Sequence, residues 1–341
     1  MDKFKYHHAL CSVAGNRNGV PKINQDRCGV LELPDGLVLV VCDGAGSKEY
    51  THSGQGADLM TRLALDFFSN RWNREEAFES QARQFIVESQ EELKREADRL
   101  GLDTVEGEIP PLERLSCTIA AAYVGDQGFH AMQIGDSFIF TRAEPDSPFD
   151  VVLQGHHDES NDGATRFITE SEASSLLQVI SDRNFNPHMV CLSSDWLKDM
   201  LFCIRLERRE RIHNAIKDDA LLTRATWVMR HGTKQDIDDF LLTYLNDPEV
   251  SRRYYDDRTM VFAIRQDQCL PTPVTSDTTQ PGEKNSLWRG CCVATHFPCP
   301  YVRPENARKC NTRICEKKNV SWANVKTNQN ATISDTESLV K

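Results

Sequence analysis

No stretch of this 341-residue chain stays apolar for the length a bilayer crossing requires. The opening residues, MDKFKYHHALCSVAG, hold no long apolar segment of the type that directs secretion. The expectation is a cytoplasmic protein with no membrane partner. Positive charge is scarce: 40 Lys and Arg stand against 51 Asp and Glu, a net charge of −11. So acidic a chain is a poor nucleic-acid binder, and none is expected. A phosphate-cradling P-loop and a dinucleotide fingerprint are both missing, since Gly44-Ala45-Gly46 lacks the required continuation. There is no internal repeat.

Paired C-x-x-C knuckles are also missing, although the chain has 12 cysteines. Cys11, Cys28, Cys42, Cys117, Cys191 and Cys203 mostly lie in apolar runs, as small buried hydrophobes do. A disulfide framework is not expected in a reducing compartment. Cys269, Cys291, Cys292, Cys299, Cys310 and Cys315 crowd into the far end, where Thr, Pro, Asn and Lys dominate and periodicity is lost. The division expected is one domain over 1–267 and a Cys-containing tail of low order over 268–341.

What is present is organised around VVCDGAGS, Val40 to Ser47. An apolar, mostly β-branched run stops abruptly at Asp43, glycines follow, and a helical pattern begins soon after. A buried strand that delivers a carboxylate to its open end needs a cation against it. Alone, Asp-Gly after a strand is an ordinary turn. Three other aspartates in matching contexts change that: Asp26 before a strand, Asp195 after one and Asp256 before one.

In chain order, 3–14 reads as a strand, followed by a Gly/Asn-rich loop to Asp26. Arg27 to Leu33 and Leu37 to Cys42 form a hairpin about Pro34-Asp35-Gly36. His52 to Trp72 and Arg74 to Leu100 show helical spacing. Strands follow at Leu115 to Val124, Phe129 to Ile134, Phe138 to Arg142 and Val151 to Gln154, and 155–186 has no clear pattern. Met189 to Ser193 is a strand. Trp196 to Ile204, Glu207 to Arg230 and Lys234 to Leu245 look helical, and Thr259 to Ile264 closes as a strand. This succession gives an α+β fold of antiparallel sheets packed with helices, without alternating βαβ units.

Acids gathered at one sheet end cannot all ionise without a counter-charge. Oxygen-only ligands select hard cations such as Mg²⁺ or Mn²⁺. Two such ions sharing a carboxylate and a water suit in-line attack on a phosphoryl group. Each acid alone has a plainer use: Asp26 as a turn cap, Asp136 in an Asx-turn with Ser137, Asp256 as surface charge.

NQDR, VVCDGAGS followed by SGQGA, LSCTIAAA, IGDS, LSSDWLKD and DDRTMVFAI, in that order over about residues 10–265, resemble the metal-dependent protein phosphatase 2C (PPM-type) family. The bacterial-type branch is the nearest match. The resemblance implies a central antiparallel β-sandwich flanked by helices. It implies hydrolysis of phosphoserine or phosphothreonine in a protein by a hydroxide bridging two Mn²⁺ or Mg²⁺ ions, in a cytoplasmic signalling setting. Asp43 would bridge the ions, with the Gly44 carbonyl, Asp26, Asp195 and Asp256 as further ligands. Asp136 and Asp199, with Asp195, would form a weaker third position. Arg17 or Lys22 would take the phosphate, in place of an arginine usually nearer the first aspartate, and Ser116 and Thr118 would be structural.

Two departures stand out. Trp196 occupies the place of the glycine in the usual Ser-Asp-Gly, so a ring either narrows the pocket or weakens the metal at Asp195. Ala45 replaces the histidine of many eukaryotic members, leaving water to protonate the leaving alkoxide. These departures feed the alternative of a catalytically weak or inactive regulatory or binding module of the same fold. A small-molecule phosphohydrolase shares the chemistry.

Overall fold

The computed structural model describes residues 5–17, 20–145, 147–154, 165–197, 220–253 and 255–266. All of them fall within one unit, Met1–Thr272. The 268–341 tail, with its six cysteines, lies outside the described residues.

Among the described residues, two five-stranded antiparallel sheets carry the fold. The first runs in the order β1 (Tyr6–Val13), β12 (Arg258–Arg265), β11 (Met189–Ser193), β8 (Phe138–Arg142), β9 (Asp150–Gln154). The second runs β10 (Gln178–Asp182), β7 (Gly128–Ile134), β6 (Ile119–Gly125), β5 (Gly36–Cys42), β4 (Arg27–Leu33). A short hairpin, β2 (Asn16–Arg17) with β3 (Val20–Pro21), leads into β4.

The period of two along a strand explains how the layers meet. Leu37, Leu39 and Val41 of β5 join Ala120, Ala122, Ile139, Val190, Leu192, Val261 and Ala263 in the core between the sheets. The alternate residues, Val38, Val40 and Cys42, face the other way into a second core. There they meet Ala57, Met60 and Ala64 of α1 (Ser53–Asp66) and Phe85, Ile86 and Leu93 of α2 (Phe78–Arg99). Buried on both faces, β5 has no reason to alternate in polarity, which accounts for its unbroken apolar run.

Helix α1 passes into a π turn over Phe67–Arg71, closed by the Trp72 amide donating to the Phe67 carbonyl at 2.8 Å. The wider turn lets the consecutive rings of Phe67 and Phe68 both enter the core, where Phe67 lies 4.9 Å from Phe85.

Helices α4 (Ala220–His231) and α5 (Lys234–Leu245) pack on β12 and β1 respectively. Helix α5 starts on a reciprocal cap between Thr233 and Asp236. Three elements depart from the sequence reading: α3 (Ala173–Leu176), β10 and α6 (Pro248–Arg253) arise where no regular pattern was expected. Strand β10 is an edge strand of sequence QVISD, too polar and too half-exposed to show a buried stripe. The expected helix at Trp196 to Ile204 is described only as one 3₁₀ turn, Asp195–Leu197. Residues 198–219, which include much of the next expected helix, lie outside the described set.

Register sets the functional end. Arg27 opposes Cys42, Val41 opposes Ala120 and Ile119 opposes Ile134. In the other sheet Ser193 opposes both Phe138 and Met260, and Val13 opposes Arg258. The start of β4, the end of β5, the β7–β8 corner, the end of β11 and the start of β12 therefore share one edge of the sandwich. Five of the six expected metal-binding aspartates lie at those positions.

Candidate active site

Asp26 is almost fully enclosed, at 1% exposure. Its amide donates to Asn24 Oδ1 at 3.0 Å, and its Oδ2 accepts the Ser194 hydroxyl at 2.8 Å. The Ser194 oxygen in turn accepts the Thr259 amide at 3.2 Å, so β4, β11 and β12 meet on this carboxylate. Asp26 Oδ1 meets no donor among the described residues. The Asp26 and Asp43 carboxyls lie within interaction range of each other, and two acids this close must share a proton or a cation.

Asp43 is held by its backbone. Its amide donates to Thr118 Oγ1 at 3.1 Å, and its carbonyl accepts the Thr118 amide at 2.8 Å. Thr118 thus has the structural role expected of it, and Ser116 pairs with Thr169 at 2.6 Å. A Cβ on Gly44 would lie 2.6 Å from the Gln25 carbonyl oxygen. Only glycine lets the end of β5 come this close to the residue preceding Asp26.

Burial, then the Asp26 charge, then those of Asp195 and Asp136, raise the Asp43 carboxyl well above the ordinary value. Burial, followed by the Asp257 charge, raises Asp26, partly offset by hydrogen bonds from Thr259 and Ser194. The fold thus brings acids distant in sequence to bear on one another.

The other expected residues are placed as follows. Asp136 accepts the Thr165 hydroxyl at 2.6 Å. Asp195 opens the 3₁₀ turn after β11. Asp256 is exposed at the rim, within 3.9 Å of a Cβ built on Gly46, and its Oδ1 takes the Lys22 ammonium at 3.1 Å. Arg17 contributes its backbone to β2, and its side chain lies outside what is described, as does all of Asp199. Among the described residues, no group of three or more His, Cys, Asp or Glu is drawn tightly enough to hold a metal ion as it stands. The Trp196 ring is buried, and its indole N–H donates to the Thr259 carbonyl at 3.3 Å. It fastens β11 to β12 rather than standing free at the turn.

Two residues of the site were missed by sequence reasoning. Ser194 is the donor to Asp26. Asp257, only 5% exposed, accepts the amides of Gly15 and Gln25, each at 2.6 Å. The acidic doublet at 256–257 held a signal. A second acid directly before a buried strand sits where a carboxylate can turn back onto loop amides.

The protein phosphatase 2C profile matches residues 17–241. The chain belongs to the protein phosphatase 2C family. Asp26, Asp43, Asp136 and Asp195 fall inside the matched residues, and Asp256 and Asp257 lie beyond them. The fold is that of a bacterial serine phosphatase, with a TM-score of 0.52 and 16% identity over 76% of this chain and 98% of that one. It is similarly like a C. elegans sex determining protein, at a TM-score of 0.50 and 14% identity over 76% of this chain and 64% of that one. Serine/threonine phosphatase Stp1 from Staphylococcus aureus aligns at a TM-score of 0.49 and 17% identity, over 76% and 95% of the two chains. No curated protein matches.

Protein phosphatase 2C chemistry is generally metal-dependent, and the donor set here fits a hard divalent cation. It consists of oxygen atoms alone, it includes an enclosed carboxylate oxygen without a donor among the described residues, and the charges of Asp26, Asp195 and Asp136 raise Asp43.

Proposed function

We propose that the chain is a Mn²⁺- or Mg²⁺-dependent phosphatase acting on phosphoserine or phosphothreonine in proteins, with its phosphatase domain over 1–267 and a cytoplasmic site of action. The observation that carries this reading is the Asp26–Asp43 pair. The enclosed Asp26 carboxyl, with one oxygen unpartnered among the described residues, meets the half-buried Asp43 carboxyl from another strand, and the charges of Asp136 and Asp195 bear on Asp43. A set of acids so placed is costly for the fold and becomes favourable once a divalent cation joins it.

Asp43, Asp26, the Gly44 carbonyl, Asp195 and Asp256 would hold two ions, and Asp136 and Asp199 a weaker third. Such ions supply neutralisation of the phosphoryl charge and a water acidic enough to act as nucleophile near neutral pH. The protein's own groups do the rest. Ser194 and the Asn24 side chain orient Asp26. Lys22, beside Asp256 at the rim, and Arg17 supply cations for the non-bridging phosphate oxygens, Lys22 as a point charge. Ala45 offers no proton, so the leaving alkoxide takes one from water. The O–P bond to the Ser or Thr oxygen breaks as the bond from water forms, and inorganic phosphate and the free hydroxyl result.

The test is Asp43→Asn. The variant should fold with an unchanged far-UV spectrum and lose Mn²⁺-dependent hydrolysis of p-nitrophenyl phosphate and of a phosphothreonine peptide. Activity at the unsubstituted level would remove Asp43 from the site. Titration calorimetry with Mn²⁺ separates the enzyme from a non-catalytic module of the same fold, which should not bind two ions tightly.

A further inference from the structure

The loop between β1 and β4 holds every cation assigned to the phosphate, and its geometry depends on one carboxylate. Asp257 Oδ1 accepts the Gly15 amide and Oδ2 accepts the Gln25 amide, both at 2.6 Å. These two amides are the feet of the loop that carries Arg17 and Lys22. Further bonds seat the first foot. The Asn16 amide donates to the Tyr255 carbonyl at 3.1 Å, the Arg258 guanidinium to the Ala14 carbonyl at 3.1 Å, and the Lys22 amide to the Gly15 carbonyl at 2.8 Å. A Cβ on Gly15 would stand 2.4 Å from the Tyr255 oxygen, so the loop lies directly on the residues before β12.

This arrangement is expensive. Asp257 is buried, and its charge falls on Asp26, which burial already disfavours as an anion. A neutral amide at 257 would remove that repulsion. It would, however, offer one acceptor oxygen where two N–H groups need one each, and its NH₂ would face a donor. Keeping a carboxylate here makes sense if both feet must be held at once.

We infer that Asp257 is a positioning residue: by clamping the Gly15 and Gln25 amides at the two feet of the loop, it sets where the Lys22 ammonium meets the phosphate of the substrate. The inference rests on the phosphatase reading above. Asp257 touches neither substrate nor reacting atoms. It acts through Lys22, whose ammonium stands on Asp256 next door.

The experiment uses the full chain and Asp257→Asn, each with and without Lys22→Met. Amide hydrogen exchange is followed at Gly15 and Gln25, and KM and kcat are measured for Mn²⁺-dependent hydrolysis of a phosphothreonine peptide. Losing one charge-assisted bond should speed exchange at one or both amides about tenfold or more and raise KM about tenfold, with kcat within about threefold. In the Lys22→Met background the same substitution should leave KM unmoved, because the residue it acts through is gone. A merely structural role would raise KM equally in both backgrounds, and that result overturns the inference. So does unchanged exchange at both amides. If Asp257→Asn does not fold, the unsubstituted protein still decides: Gly15 and Gln25 exchanging like unprotected amides refutes the clamp. A wild-type protein active on the peptide with KM indifferent to position 257 refutes positioning alone. A wild-type protein inactive on both the peptide and p-nitrophenyl phosphate refutes the phosphatase reading, and the positioning role falls with it.

Discussion

Ser194 Oγ donates to Asp26 Oδ2 at 2.8 Å across 168 residues of sequence, joining the end of β11 in one sheet to the start of β4 in the other. It is a hydroxyl aimed at an enclosed acid, and it favours the ionised form a cation requires.

Ser194→Ala should therefore weaken Mn²⁺ binding. Removing a hydrogen bond to a charged group costs about 1.5–3 kcal/mol. Part of that cost appears as a lower melting temperature, because the Thr259 amide also loses its acceptor. Titration calorimetry should show Mn²⁺ affinity reduced by roughly ten-fold or more. Affinity unchanged within error would mean that Ser194 serves only to close the β11–β12 corner.

The same acids make stability depend on pH and on metal together. The folded-state values of Asp26 and Asp43 are raised above the unfolded value of 3.8. The folded protein thus keeps protons that the unfolded chain has released. The stability this contributes is complete below 3.8 and is lost as pH rises through the folded values. With chelator present, the melting temperature should fall between about pH 5.5 and pH 8 by more in the wild type than in Asp43→Asn. Added Mn²⁺ should raise it, and the increment should grow with pH, because cations bind the deprotonated acids. A Mn²⁺ increment that is the same at both ends of the range would contradict this linkage.

Much of the fold was legible in the sequence, for physical reasons that differ by element. Strand β5 is buried on both faces, so its apolar run had to be continuous and was plain to see. Helices α1 and α2 bury one stripe each and show the corresponding period. Strand β10 could not be read, because an edge strand of QVISD need not choose between polar and apolar faces. Helix α6 begins at Pro248 and is too short to display a period.

At the site, the meeting of Asp26 with Asp43 could be anticipated from strand ends, since register carries those ends to one edge. The inward acid of the 256–257 doublet could not be chosen. That choice depends on which side of the chain faces the Gly15 and Gln25 amides, a relationship set by tertiary packing between segments 242 and 232 residues apart.

A second pH effect, of opposite sign, sits far from the carboxylates. His130 is 2% exposed, with Trp72 and Phe78 against its ring at 4.9 and 5.2 Å. Its Nε2–H donates to the Gln127 carbonyl, and its Nδ1 accepts the Ser181 hydroxyl, each at 2.9 Å. Burial lowers its pKa below the ordinary 6.5, so the folded ring is neutral while the unfolded one takes up a proton. The stability it contributes is present above 6.5 and is lost as pH falls through the folded value. Urea midpoints for the wild type should drop as pH goes from about 7.5 to about 5, and His130→Gln should drop less steeply from a lower start. Parallel pH profiles for the two proteins would show that another group controls this range.

Trp196 stands where the family usually has glycine, and a natural thought is that restoring glycine would open the site. The ring argues otherwise. It is 4% exposed, and its N–H is spent on the Thr259 carbonyl, so it is part of the joint between β11 and β12. Trp196→Gly would remove a large buried side chain, leave a cavity and add backbone freedom at the turn that presents Asp195. Truncating a buried Trp costs about 3–5 kcal/mol, a large share of a domain's total stability. The variant should melt at least several degrees lower and bind Mn²⁺ more weakly, with no gain in turnover on a phosphothreonine peptide. Calorimetric melting and kcat measured side by side provide the check. A Trp196→Gly protein as stable as the wild type and faster in turnover would show the ring to be an obstruction in the pocket rather than a support beneath it.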